Sequence, residues 1–200
     1  AHLLAVHPSV QATTLAELVT LSKTKPINVA SAGSGSPNHL GVVEMAQKLG
    51  LRWTHIPYKG GAQALTDMIA GTADVILNGM VATAPHVQSG KLKLIGISSP
   101  KRSPAYPNAM TIAEQGVAGY ESGTYQGVTA PATMPKEAVA KLGEALKKVM
   151  AAPDIVKRMN EAGADVMTNT PAELTAFIAK EEARWSGVVK AAGTAIAGTK

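Results

Sequence analysis

Apolar residues along this chain fall into two alternating rhythms, short continuous runs and stripes at helical spacing. The run Leu3–Val6 reads as a strand, and Thr14 with Glu17 forms a capping box that predicts a helix from Leu15 to about Lys23, closed by Pro26. Ile27–Ser31 is short and β-prone, and the loop AGSGSPN follows it. Leu40, Val43, Met45 and Leu49 then give His39–Leu49 a helical stripe, with Ser36 as N-cap, Pro37 in the first turn and Gly50 as the stop. The unit recurs as strand Trp53–Ile56, turn PYKGG and helix Ala62–Ala70 with its stop at Gly71. It recurs again as strand Asp74–Leu77, a turn at Asn78 and Gly79, and a helix from about Ala82 to Gln88. Strand Leu92–Ser98 ends the series. Strands alternating with short helices predict an α/β fold, a parallel-rich sheet flanked by helices on both faces with right-handed crossovers.

Ser99–Pro107 is rich in Ser, Pro and basic residues and reads as a surface connector. Beyond it the pattern predicts a short helix near Ile112–Gln115, an extended segment Tyr120–Ala130 and three helices that start around Pro135, Pro153 and Pro171. Thr170 and Glu173 form a second capping box. Val139, Leu142, Leu146 and Val149 line up as an apolar stripe expected to pack on a sheet.

Composition narrows the classes. Hydrophobic residues make up 46% and aromatics 4% of the 200, so the core is built from aliphatic side chains and Met. The net charge of +5 is dispersed, without the clustered bases and stacking aromatics of a nucleic-acid surface, and no nucleic-acid partner is expected. Such a field either draws in small anions or merely keeps the chain in solution. There is no Cys, hence no disulfide and no thiolate metal site. No apolar stretch approaches the roughly 20 residues of a membrane-spanning helix. The chain starts directly in an apolar run, as a segment of something longer would.

The segment with the most chemistry is SAGSGSPNHL, where a strand runs through a Gly and Ser loop into a helix. A helix start collects unpaired N–H groups and partial positive charge, and Gly33 and Gly35 let backbone approach a ligand closely. Each charge-assisted hydrogen bond from such donors contributes roughly 1.5 to 3 kcal/mol. A helix start capped by its own serine fits the same residues. PYKGGAQ and NGMVAT repeat the geometry after two further strands, which would bring three loops to one sheet edge, where open parallel sheets bind ligands. The pattern GSGSPN matches neither a dinucleotide nor a P-loop motif, and no nucleophile elbow is present, so neither a catalytic residue nor a cofactor is assigned. His2, His7, His39, His55 and His86 lack metal-ligand spacing. His39, in the first turn after the loop, is either a ligand donor or a surface residue without a role. Ser31, Ser34 and Ser36 have no base partner and read as hydrogen-bonding groups.

In order along the chain, VHPS, SAGSGSPNHL, IPYKGGAQALTDMIAG, DVILNGMVATAPHVQSGKLKLIGISSPKRSP, TIAEQG, GVTAPATMPKEAV and RWSGVVKAAG resemble the Bug solute receptors of tripartite tricarboxylate transporters. The resemblance implies a periplasmic receptor, not an enzyme, of the type II binding-protein architecture. Its ligand would be a small organic carboxylate held largely by main-chain donors, and its partners the membrane components of the transporter. It divides the chain into one nearly complete lobe, 10–98, and an incomplete second lobe made of 1–9 and 99–200. An absent N-terminal segment would leave a truncated product or proteolytic remnant prone to self-association. The ligand contacts it implies are Ser31, Ala32, Ser34, Gly35 and His39 on the first loop and Tyr58, Lys59 and Gly60 on the second. Asn78, where many relatives are acidic, belongs with them, and so do Thr124 and Tyr125, the latter replacing a Trp. A neutral Asn78 implies a ligand without an amino group. An effector-sensing domain of a transcription regulator shares this architecture, and an enzyme of the same fold would need a titratable pair in the cleft.

Overall fold

The computed structural model describes residues 1–192. Five strands form one sheet: β1 (His2–Val6), β2 (Asn28–Ser31), β3 (Thr54–Pro57), β4 (Val75–Gly79) and β5 (Lys93–Ile97). Between them run α1 (Leu15–Ser22), α2 (Pro37–Leu49), α3 (Gly61–Ile69) and α4 (Met80–Gln88). Strand order is β3-β2-β4-β1-β5, with β2 parallel to both β3 and β4. The local signals act as read from the sequence. Thr14 and Glu17 close the capping box of α1, Ser36 caps α2 with Pro37 behind it, and Gly50 ends α2 in the left-handed conformation at φ 65°.

β1 corrects one expectation, the placement of its residues in the other lobe. It runs antiparallel between β4 and β5, with His2 opposite Gly79 and Leu3 opposite Ile97, so the sheet is mixed and residues 2–6 lie inside it instead of in the other lobe. The physical reason is that every residue of HLLAV is buried, which only a central strand covered on both faces allows. Leu4 and Val6 join the core beneath α1 and α2, with Leu18, Val42, Met45 and Leu77. Ala5 packs on the opposite face with Ala64, Leu65 and Met68 of α3, and Leu3 packs with Met80 and Ile97.

After β5 the chain departs from its pattern in two further places. Ile112–Gln115 forms a single hydrogen-bonded turn instead of a helix; Thr111 and Glu114 cap it reciprocally, but Gly116 leaves helical space at φ 104°. Three helices follow: α5 (Lys136–Met150), α6 (Pro153–Glu161) and α7 (Pro171–Ala192), the last with the Thr170–Glu173 capping box in place. The stripe on α5 does not reach the sheet. Leu142 and Val149 are exposed, and none of the three helices contains a buried residue. α7 docks on the α/β body, where the Arg184 guanidinium reaches Glu44 of α2 at 3.0 Å and the Glu121 carbonyl, and Gly163 just after α6 abuts Met80 of α4. No helix among the described residues is long and apolar enough to cross a membrane.

Candidate functional site

Because β3, β2 and β4 are parallel neighbours, their carboxyl ends open on one edge, and the turns into α3, α2 and α4 stand side by side there. The first two turns touch. The Tyr58 N–H donates to the Ser31 carbonyl at 3.0 Å, and a Cβ on Gly33, whose φ is 122°, would sit 3.1 Å from the Tyr58 carbonyl oxygen. The third turn joins through Asn78. Its Oδ1 accepts from the Asn38 amide at 3.0 Å and would lie 2.9 Å from a Cβ on Gly61.

Part of the first loop satisfies itself. The Ser36 hydroxyl accepts from the His39 N–H and donates to the Gly33 carbonyl, the Gly35 N–H donates to His39 Nδ1 at 3.0 Å, and the Gly33 N–H donates to the Ser31 hydroxyl. His39 therefore serves as an internal acceptor for the loop. Its ring stacks on that of His55 with centroids 3.7 Å apart, and His55 Nε2 lies 2.6 Å from the Ser31 hydroxyl. Burial lowers the pKa of His39. Burial and then the neighbouring His39 charge push His55 down to about 4. Both rings are neutral at pH 7, and the accepting Nδ1 of His39 places its proton on Nε2.

The other two helix starts, α3 after Gly60 and α4 after Gly79, lack side-chain caps, although the Met80 N–H of α4 donates to the Ala1 carbonyl at 3.2 Å. Of the seven helices among the described residues, α1, α5, α6 and α7 each carry an acidic residue in the first turn, Glu17, Glu137, Asp154 and Glu173. The first turns of α2, α3 and α4 carry none. An acidic first turn offsets the positive end of the helix dipole. The three helices that converge at this edge are thus the three whose positive ends are left uncompensated.

The structure accordingly brings together Ser31, Ala32, Ser34, Gly35 and His39 with Tyr58, Lys59, Gly60 and Asn78. Two of these have other work: the Lys59 N–H donates to Gln63, and the Asn78 side chain, 6% exposed, is held between Asn38 and Thr83. Burial, then Asp67, raises the pKa of Tyr58. Thr124 and Tyr125 follow Gly123, which passes beside Ala1 near the start of α4, but the Tyr125 ring packs edge-on against Phe177 at 5.0 Å. Asn38, Thr83 and His55 escaped the sequence reading. The acid-free first turns were a signal in the sequence, whereas the side-chain pairings were not. A cavity of about 310 Å³ continues the edge past Met80, Ser99, Lys101 and Asp165. A second, of about 530 Å³, lies behind it between α2 and the Leu51–His55 stretch.

Three helix starts without acidic residues thus share one edge of a mixed α/β sheet, and comparison with known proteins gives the family. The family model described as "Tripartite tricarboxylate transporter family receptor" matches residues 1–194, and the chain belongs to that family. It is 30% identical over 193 residues to Protein BugT of Bordetella pertussis (strain Tohama I), covering 95% of this chain and 59% of BugT. Among solved structures it superposes on R. palustris Rpa4515 with adipate at TM-score 0.91 and 29% identity, covering 96% of this chain and 65% of that one. It also superposes on the periplasmic binding protein BugD at TM-score 0.87 and 32% identity, covering 96% and 66%. The chain therefore spans about two thirds of these structures and somewhat less of BugT.

Proposed function

We propose that this chain carries the ligand-gripping lobe of a periplasmic receptor, 10–98 joined by β1, which captures a small organic carboxylate and delivers it to the membrane components of a tripartite tricarboxylate transporter. The carboxylate is held mainly by backbone N–H groups at the starts of α2, α3 and α4, around Ser31, Ala32, Ser34, Gly35, Tyr58, Lys59 and Gly60. Thr124 and Tyr125 border the ligand from the segment beyond β5. The single observation that carries this reading is the convergence of three helix starts with no acidic residue in their first turns. The relative solved with adipate supports a carboxylate as the ligand class. The reading assigns binding without turnover, since the titratable pair nearest the edge, His39 and His55, is a neutral stack occupied with the loop itself.

Adipate is the first probe, together with shorter mono- and dicarboxylates and their amino-substituted analogues, titrated into the chain by calorimetry and thermal shift. Selective binding to the folded state raises the melting temperature with concentration. Carboxylates without an amino group should produce that rise and amino acids of equal length should not. Equal response to both, or to neither, would refute the reading.

A further inference from the structure

One buried side chain, that of Asn78, meets the first turn of all three helices at the edge. Asn38, the second residue of α2 and 7% exposed, donates its amide to the Leu77 carbonyl at 2.9 Å and to Asn78 Oδ1 at 3.0 Å. Asn78 Nδ2 donates to the Thr83 hydroxyl at 3.2 Å, and that hydroxyl donates to the Gly79 carbonyl at 3.0 Å, closing the first turn of α4 on itself. Gly61, in the first turn of α3, abuts Asn78 Oδ1 so closely that any side chain there would collide with it. The polarity of this relay is fixed. Asn38 can only donate through Nδ2, so Asn78 presents its oxygen to α2 and its nitrogen to α4, and Thr83 turns its proton to Gly79.

Two consequences follow. The relay sets the spacing of three helix starts without placing a formal charge among them. It also takes up none of the backbone N–H groups in the first turns of α3 and α4; in α4 the Met80 N–H donates instead to the Ala1 carbonyl at 3.2 Å, and neither helix has a side-chain cap. A carboxylate at position 78 would fit the same space and still accept from Asn38, but it would neutralise the positive helix ends from within.

We propose that Asn38, Asn78 and Thr83 form an uncharged positioning relay that holds the starts of α2, α3 and α4 in register for a ligand anion, and that the neutrality of Asn78 determines the charge the site selects. The proposal rests on the carboxylate-receptor reading and adds its positioning residues. Asn78→Asp is nearly isosteric, so its charge is tested apart from its shape.

The test is titration of adipate into isotope-labelled chain, followed through the backbone amide signals of Gly60, Gly61, Val81 and Ala82, with melting temperature measured in parallel. In the parent these amides shift on adding adipate. In Asn78→Asp the affinity falls by at least about tenfold, the range expected for a like charge a few ångströms away near a protein surface. Its ligand-free melting temperature holds or rises, because the new carboxylate sits at three helix starts. Thr83→Val, which releases Asn78 Nδ2 without adding charge, weakens adipate several-fold and lowers the response of the α4 amides most. Adipate bound as tightly by Asn78→Asp as by the parent would overturn the proposal, as would a loss of affinity accompanied by an equal loss of thermal stability, the mark of a packing role alone. If the parent amides do not respond to adipate, the receptor reading itself fails, and that outcome is distinct from the other two.

Discussion

His39 and His55 lie face to face, ring centroids 3.7 Å apart and planes inclined by 10°, one ring reaching the Gly35 N–H and the other the Ser31 hydroxyl. The two imidazoles thus grip the loop between β2 and α2 from both of its ends. Both are held below their ordinary pKa, chiefly by burial, and His2 is also pushed down to about 4, by burial first and then by the adjacent N-terminal ammonium.

A group whose pKa is lower in the folded than in the unfolded state binds fewer protons when folded, so stability rises with pH across the interval between the two values. Stability should therefore be fully present above pH 6.5 and be lost progressively as pH falls toward 4. Each such group contributes a slope of at most about 1.4 kcal/mol per pH unit. Denaturant midpoints at pH 7.5, 6 and 5 check this, and His55→Phe, which keeps a stacking ring, should flatten the profile. A midpoint unchanged from pH 7.5 to 5 contradicts the neutral stack.

Gly33→Ala should damage both fold and site. The residue sits at φ 122°, and its new Cβ would lie 3.1 Å from the Tyr58 carbonyl oxygen, the point where the first two turns meet. Strain of this kind costs on the order of 1–3 kcal/mol. Chemical denaturation should register the loss, and adipate titration should show weaker binding; a fully stable variant with parental affinity would show that the contact between the turns is dispensable.

Asn38→Ala removes both donors that the buried amide supplies and leaves the Leu77 carbonyl and Asn78 Oδ1 without their partner. An unsatisfied buried acceptor costs about 1–3 kcal/mol, so the midpoint of urea unfolding should shift by that amount. Asn38→Asp should be worse than Ala, since its carboxylate would face the Leu77 carbonyl and Asn78 Oδ1. Equal stability of the two variants would argue that the pocket admits water.

Arg184 fastens the last helix to the body. It meets Glu44 at 3.0 Å, with the guanidinium 4.5 Å from the Trp185 ring centroid. Glu44 has little exposure and also pairs with Lys48 at 3.3 Å. Arg184→Ala should cost about 1–3 kcal/mol through a half-paired, largely buried carboxylate. It should also speed amide exchange along α7 more than along α3. Uniform change across both helices would show that α7 unfolds only with the whole chain.

Much of this architecture is written locally. Thr14 and Glu17, Ser36 with Pro37, Gly50, and Thr170 with Glu173 each act within one helical turn, so their residue types suffice to place helix ends. The position of β1 is different, because HLLAV says only that both faces are buried, not which strands lie beside it or in which direction. The same limit explains the site. The loops at Ser31, Tyr58 and Asn78 are legible as strand exits, while the Asn38 relay and the histidine stack depend on partners 40 and 16 positions away. Tyr125 likewise meets Phe177 edge-on, a partner 52 positions away that local sequence does not name. For α5, a stripe of helical period established that one face is apolar and left open what covers it.

The placement of β1 also shapes the route to the folded state. β2, β3 and β4 follow one another through short crossovers, so their ladder can zip as the chain emerges, but β1 must find β4 and β5 across most of the lobe's length. Until it arrives, those two strands expose bare hydrogen-bonding edges to whatever else is in solution. Refolding should accordingly slow when β1 is weakened by Ala5→Gly and stay nearly constant when α3 is weakened by Ala64→Gly, as stopped-flow fluorescence of Trp53 and Trp185 would reveal. β1 would then be the last of the five strands seated.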